Sequence, residues 1–343
     1  MGEIDNILTL ARSKRAADVH IVAGSPVLFR VAGELVPVTR ETLSSDKAKD
    51  LTYSMLKKEQ IAEFESNLDI DFMMVDRDKN RYRTNVSFND GDVGAVIRLL
   101  ASEPKQLSEI NMPPVVGKLA TARKGLVLLT GSTSQGKTTT MAAMIDEVNR
   151  TQRKHIITIE DPIEYVHRNK NSIVRQREIG KDTVSFDRGL RAALRQDPDV
   201  IAIGEMRDYD TIKIALTAAE TGVLVLSTIH VISIDKIIER LLSYAPDHGD
   251  GHIRLLLAES LLGVIHQELV PTTDGGKRVA CEILVSTDAV RNVMRNRGTF
   301  HLRNAITTGQ RWGMRSMKNS LDELIAEGAI SQEVYENIVQ NYR

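Results

Sequence analysis

Cysteine occurs once in the 343 residues, at Cys281. One thiol excludes an internal disulfide and a C-x-x-C zinc site, and it suits a reducing cytoplasm. Cys281 stands in an apolar, strand-like run, which predicts a buried filler. An excess of one charge is missing too. The 45 Lys and Arg against 46 Asp and Glu leave a formal net charge of −1, and aromatics are 4% of the chain. No basic surplus points to nucleic acid or to an anionic membrane. No apolar stretch approaches the ~18 residues of a membrane span, so no direct membrane insertion is expected. The opening residues show no targeting pattern, and Asn6 breaks the myristoylation motif. Repeats and low-complexity segments are absent. What remains is 42% hydrophobic and 27% charged residues, which suits a soluble chain of two or three domains.

What is present centres on residues 131–138: Gly131, Ser132, Thr133, Ser134, Gln135, Gly136, Lys137 and Thr138. An apolar run, 125–130, precedes them and a helix-like run follows. Strand, glycine-bounded loop and helix in that order fit G-x-x-x-x-G-K-[ST]. The glycines permit the turn and a close backbone approach to an anion. The loop N–H groups and the helix dipole then favour phosphate. Lys137 is expected on the β- and γ-phosphates and the Thr138 hydroxyl on Mg²⁺, with ATP as the nucleotide. The bland alternative is a glycine-rich turn with a surface lysine.

Before the loop, residues 1–101 predict a small α+β domain. A first helix carries Ile4, Ile7, Leu8 and Ala11. Strands are expected at 18–22, 27–31, 35–38, 69–75, 81–88 and 93–100, with a hairpin turn at 32–34. One helix, capped by Ser44 or Ser45, is expected to turn Leu51, Met55, Ile61 and Phe64 inward. Arg81 and Arg83 alternate on one strand and so share a face, with Arg98 on the next. They are either a solvated sheet face or a cluster that reaches phosphate across a boundary. Residues 102–114 hold three of the nine prolines and predict a linker. From 115 strands and helices alternate, as in a parallel sheet covered by helices. An apolar helix is expected over 253–265, then a hairpin turning at 274–276, then helices around 290–295, 300–307, 321–327 and 332–341.

Two further strands end in acids. Residues 155–159 run into Glu160 to Glu164, and 199–203 run into Gly204 and Glu205. Hydrolysis needs a carboxylate to orient and deprotonate water. Glu205 is the first candidate, and Glu164 the second acid near metal or water. The plain alternative for both is helix capping. His230, after the strand 223–229, is either a γ-phosphate sensor or a structural histidine.

In this order the phosphate loop, residues 157–165, 194–208, 215–222 and 227–230 resemble the secretion and type IV pilus motor ATPases, over nearly the whole chain. Residues 289–294 are similar to a C-terminal motif of the PilT-type retraction branch. The retraction branch is favoured too because neither the long N-terminal extension nor the four-cysteine zinc site common in assembly motors is expected from this sequence. The resemblance implies an N-terminal PAS-like domain, a RecA-like ATPase domain over 115–285 and a C-terminal helical appendage over 286–343. It implies a homohexameric ring in the cytoplasm, peripheral to the inner membrane through a pilus platform protein, with a paralogous motor as a further partner. The nucleotide would lie between the two domains, with Arg81, Arg83 and Arg98 completing its site. Ser134 and Gln135 stand where the family usually has Gly and Ser, Val223 where it has a histidine, and Val231 and Ile232 where it has small polar residues. A Cβ at 134 matters if φ there is positive. Two rivals stay open: a DNA-translocating RecA-like motor, against which charge and aromatic content argue, and an accessory nucleotide-binding ring subunit of weak activity.

Overall fold

The computed structural model describes residues 2–31, 33–78, 80–100, 103–245, 250–296 and 302–342. They form two compact units, Met1–Ser102 and Glu103–Arg343. Ala32 in the expected hairpin turn, the junction at 101 and 102, and the expected helix start at Phe300 lie outside the described residues.

In the first unit α1 (Glu3–Ser13) turns Ile4, Leu8 and Ala11 inward. The strands are β1 (Asp18–Ile21), β2 (Leu28–Val31), β3 (Glu34–Pro37), β4 (Asp69–Val75), β5 (Arg81–Asn89) and β6 (Asp92–Leu99). They pair in the order β3-β2-β1-β6-β5-β4, antiparallel throughout. Alternation puts Tyr82, Thr84 and Val86 of β5 in the core, and Arg81 and Arg83 on the other face. The helix expected from Ser44 to Phe64 is two helices, α2 (Ser45–Tyr53) and α3 (Lys58–Asn67). Ser44 does cap α2, accepting from Lys47 N. Local bonding explains the break. Ser54 Oγ donates to Leu51 O at 2.6 Å, and the Gln60 carboxamide accepts from Lys57 N at 3.0 Å, which starts a fresh helix.

In the second unit residues 103–113 run mostly exposed, with Leu107 and Met112 buried against its core. The elements that follow are α4 (Pro114–Ala120), β7 (Gly125–Thr130), α5 (Lys137–Thr151), β8 (His155–Glu160), β9 (Ile173–Glu178), α6 (Phe186–Ala193), β10 (Val200–Ile203), α7 (Tyr209–Thr221), β11 (Leu224–Ile229), α8 (Ile237–Leu242) and α9 (Asp250–Ser260). After them come β12 (Leu261–Pro271), β13 (Lys277–Val285), α10 (Asp288–Arg295), α11 (Leu302–Thr308), α12 (Met317–Ala326), α13 (Gln332–Val339) and a 3₁₀ turn, Gln340–Tyr342.

The sheet order is β13-β12-β7-β11-β10-β8-β9. Its neighbours run parallel, except β13, which folds back on β12. Thr130 is the register partner of Ile229 and Ile203 that of Ile159, with Ile203 opposite Ser227, so these parallel strands end within two residues of one another and the loops after β7, β11, β10 and β8 open on one edge of the sheet. Ligands in such sheets bind there.

The helix expected over 253–265 is corrected: α9 stops at Ser260 and β12 begins at Leu261. A run buried on both faces has no period that separates strand from helix. Tertiary pairing decides it, since β12 lies between β7 and β13. Gly263 fits that slot because a Cβ there would stand 2.9 Å from Leu284 O. Strand β9 was not expected: its Arg175, Gln176 and Arg177 break the apolar pattern, as suits a strand that holds a sheet edge. The C-terminal helices pack Met317, Leu321, Leu324 and Val339 on Val270 and Ala280 of the β12–β13 hairpin. Val290 and Met294 of α10 are core residues. Cys281 is buried in β13, which pushes its thiol up to about 11. Among the described residues no helix is long and apolar enough to cross a membrane.

Candidate phosphate-loop site

The loop leaves β7 at Gly131, where φ is +138° and a Cβ would lie 2.5 Å from Gln267 O. Only glycine fits against that backbone. The loop re-enters helix at Gly136, φ +80°. Thr140 N is bonded to Gly136 O at 3.0 Å. The first N–H groups of α5, from Lys137 on, therefore have no intrahelical partner and point out of the helix end. Ser134 takes φ +63°, so the Cβ at this position does matter. The left-handed region disfavours L-residues other than Asn and Asp.

Gln135 fastens the loop to β12. That strand is paired with β7 only as far as His266, opposite Thr130, so its end overhangs. The Gln135 carboxamide oxygen accepts from Leu269 N at 2.6 Å. Gln267 Nε2 donates back to Gln135 O at 2.7 Å. A backbone N–H that the sheet does not pair is thus satisfied by a side chain of the loop.

Lys137 is 7% exposed. Its ammonium donates to Gly131 O at 2.9 Å and Ser132 O at 2.7 Å. Burial holds it below the ordinary lysine value, and the charge of Glu205 pulls it back up. His230 Nδ1 is 3.3 Å from that ammonium, and His230 Nε2 is 3.4 Å from Glu205 Oε2. An ammonium has no acceptor, so Nδ1 is the accepting nitrogen and Nε2 carries the proton toward the carboxylate. One imidazole therefore bridges the loop cation and the first-choice acid. Arg207, missed in the sequence, holds Glu205 Oε2 at 2.7 Å. The end of β10 is set by its neighbour: Ser227 Oγ donates to Ile203 O at 3.0 Å and Thr228 Oγ1 to Gly204 O at 2.6 Å. Asp208 then caps α7, accepting from Thr211 N at 2.8 Å.

Glu164 is half-buried beside Tyr165. The Tyr165 hydroxyl is 2.8 Å from Thr139 Oγ1 on α5. Burial raises the Tyr165 pKa, and the charge of Glu164 adds to it. Glu160 is the more buried acid, bonded by Thr158 Oγ1 at 2.5 Å and Gln176 Nε2 at 3.0 Å. Val223 stands at the opposite end of β11 from His230, where its carbonyl accepts from Gly125 N. Val231 is buried in the core and Ile232 is exposed. The second unit thus brings together the phosphate loop, Glu205 and His230, with Glu164 next in the chain to Tyr165, which touches α5. Arg81, Arg83 and Arg98 belong to the first unit. Arg83 and Arg98 are register partners across β5 and β6. Arg83 pairs with Asp71 at 2.6 Å and Arg98 with Asp18 at 3.0 Å.

A cavity of about 230 Å³ opens beside the loop, walled by Gly136, Thr139, Thr140, Leu269, Ile110 and Lys277. The Thr140 hydroxyl is buried with no hydrogen-bond partner. Among the described residues no His, Cys, Asp and Glu cluster forms a metal cage.

Comparison with known proteins agrees along the whole chain. The family model described as "Type II/IV secretion system protein" matches residues 2–343. The chain is 40% identical to the type IV pilus retraction ATPase PilT of Pseudomonas aeruginosa, over 96% of each chain. It is 40% identical to a twitching motility protein of Neisseria gonorrhoeae, over 98% of this chain and 91% of that one. The crystal structure of the pilus retraction motor PilT with bound ADP matches with a TM-score of 0.88 at 38% identity, over 98% of this chain and 96% of that one. The mixed α/β sheets are those of that ATPase fold, and the chain belongs to the type II/IV secretion system protein family.

Proposed function

We propose that this chain is an ATP-hydrolysing motor that drives type IV pilus retraction, the activity behind twitching motility. The observation that carries it is the His230 bridge, 3.3 Å from the Lys137 ammonium and 3.4 Å from the Glu205 carboxylate. A cation for the transferred phosphoryl group and an acid for the attacking water stand one imidazole apart. Glu205 orients the water and takes its proton. Residues 131–138 cradle the phosphates, and Thr138 with phosphate oxygens holds Mg²⁺, which neutralises developing charge. The nucleoside occupies the cavity beside Thr140. Glu164 is the second acid, and His230 reports the state of the γ-phosphate to Glu205.

The first unit is read as a PAS-like domain and the second as a RecA-like ATPase domain with its helical appendage. Arg81, Arg83 and Arg98 complete the nucleotide site in a homohexameric ring. The ring works in the cytoplasm against an inner-membrane pilus platform protein, alongside a paralogous motor, and needs no nucleic acid. A second reading, the accessory ring subunit of weak activity, is favoured by Ser134 in its left-handed conformation.

Phosphate release and fluorescent-ADP binding test both. Glu205→Gln is expected to retain binding and lose hydrolysis by roughly 10²-fold or more. Undiminished hydrolysis removes Glu205 from its role. Near-zero turnover by wild type, restored by Ser134→Gly, selects the accessory reading.

A further inference from the structure

The phosphate loop has a second anchor that no nucleotide chemistry calls for. His266, 1% exposed, sits on β12 opposite Thr130, the last residue before the loop. Its Nδ1 is 3.0 Å from Thr130 Oγ1, and its Nε2 is 3.0 Å from the Tyr342 hydroxyl in the C-terminal turn. Burial raises the Tyr342 pKa, and the nearby charge of Glu268 raises it further. The Glu268 charge favours one order of the protons along this chain. A negative charge draws the O–H of a phenol toward it, so the Tyr342 proton points away from His266. The Tyr342 oxygen then accepts from His266 Nε2–H, and Nδ1 accepts from the Thr130 hydroxyl. The imidazole is neutral in this arrangement, and its burial pushes its pKa down to about 4.

Strand alternation makes the chain a connector. Residues 266 and 268 face the C-terminal turn, while Gln267 donates to the loop at Gln135 O. Behind the turn, Val339 is buried against the β12–β13 hairpin. The end of β12 is therefore gripped on one face by the C-terminal block and on the other by the phosphate loop.

We propose that His266 and Tyr342 are positioning residues for nucleotide binding, coupling the C-terminal turn to the phosphate loop through Thr130 and β12. They touch neither the phosphates nor the water, and act by holding the strand end against which the loop is built. The proposal rests on the phosphate-binding reading of the loop.

The test compares Tyr342→Phe, Thr130→Val and the double variant. Each removes one hydroxyl and keeps the packing. Each single variant is expected to weaken fluorescent-ADP binding by roughly 3- to 10-fold, the worth of one hydrogen bond. The double variant should be no weaker than the poorer single, because both break one chain. KM for ATP should rise with kcat nearly unchanged. Amide hydrogen exchange over residues 131–139, measured without nucleotide, should quicken in Tyr342→Phe. Lower thermal stability with unchanged affinity and unchanged loop exchange overturns the proposal, as do multiplicative effects in the double variant. Failure of wild type to bind ADP strikes the phosphate-binding reading instead, and the exchange measurement then decides the coupling.

Discussion

Ser134→Gly should stabilise this protein, although glycine substitutions usually do the opposite. Ser134 holds φ at +63°, and the left-handed region costs an L-residue about 1–2 kcal/mol. Glycine removes that strain but widens the unfolded ensemble, at about 0.4–1 kcal/mol. The difference leaves a net gain of about 0.5–1 kcal/mol, or roughly a 2- to 5-fold shift toward the folded loop. For a unit the size of residues 103–343, that raises Tm by roughly 1–4 °C. Ser132→Gly is the matched control. Ser132 lies in the same loop and takes no positive φ, so glycine there brings the entropic penalty without relief and should lower Tm. Thermal melting with and without ADP reads both. If the two variants shift Tm in the same direction, or Ser134→Gly melts below wild type, strain at position 134 is not what sets this loop apart.

Three further outcomes follow from the geometry. Gln135→Ala removes the acceptor of the Leu269 N–H, a loss of about 1 kcal/mol. KM for ATP should rise with little change in kcat, and an unchanged KM would show that the loop does not lean on β12. Arg83→Ala and Arg98→Ala should each lower kcat by roughly 10²-fold or more if they reach phosphate. Tm should hardly move, because their pairs with Asp71 and Asp18 involve exposed arginines; kcat near wild type would leave them as a solvated face. The third outcome concerns pH. His167 is buried, which pushes its pKa from 6.5 down to about 4. Its native form is the neutral one, so the unfolded chain binds more protons between those two values. The contribution is complete above pH 6.5 and is lost as pH falls toward 4. The stability difference between wild type and His167→Phe should therefore shrink over that window, and a pH-independent difference in melting curves would refute the assignment.

The amino-acid sequence alone determined the parts whose chemistry is local. The phosphate loop is legible because its glycines, Lys137 and Thr138 have a fixed spacing and need only a strand before and a helix after. The place of Glu205 just past a strand end is legible because a wholly apolar strand ends two residues before it. Tertiary structure decided what depends on neighbours far apart in the chain. The run at 261–265 is a strand because β7 and β13 flank it; burial on both faces erased the period that separates strand from helix. His230 lies between Lys137 and Glu205 because β11 sits between β7 and β10, an order that no local spacing encodes. The bonds of Gln135 and His266 were opaque for the same reason, since Leu269 stands on a strand overhang and Thr130 on a neighbouring strand, and both come within reach only once the sheet has formed. Periodicity and spacing act over a few residues, whereas sheet order is settled by which apolar faces close the core together.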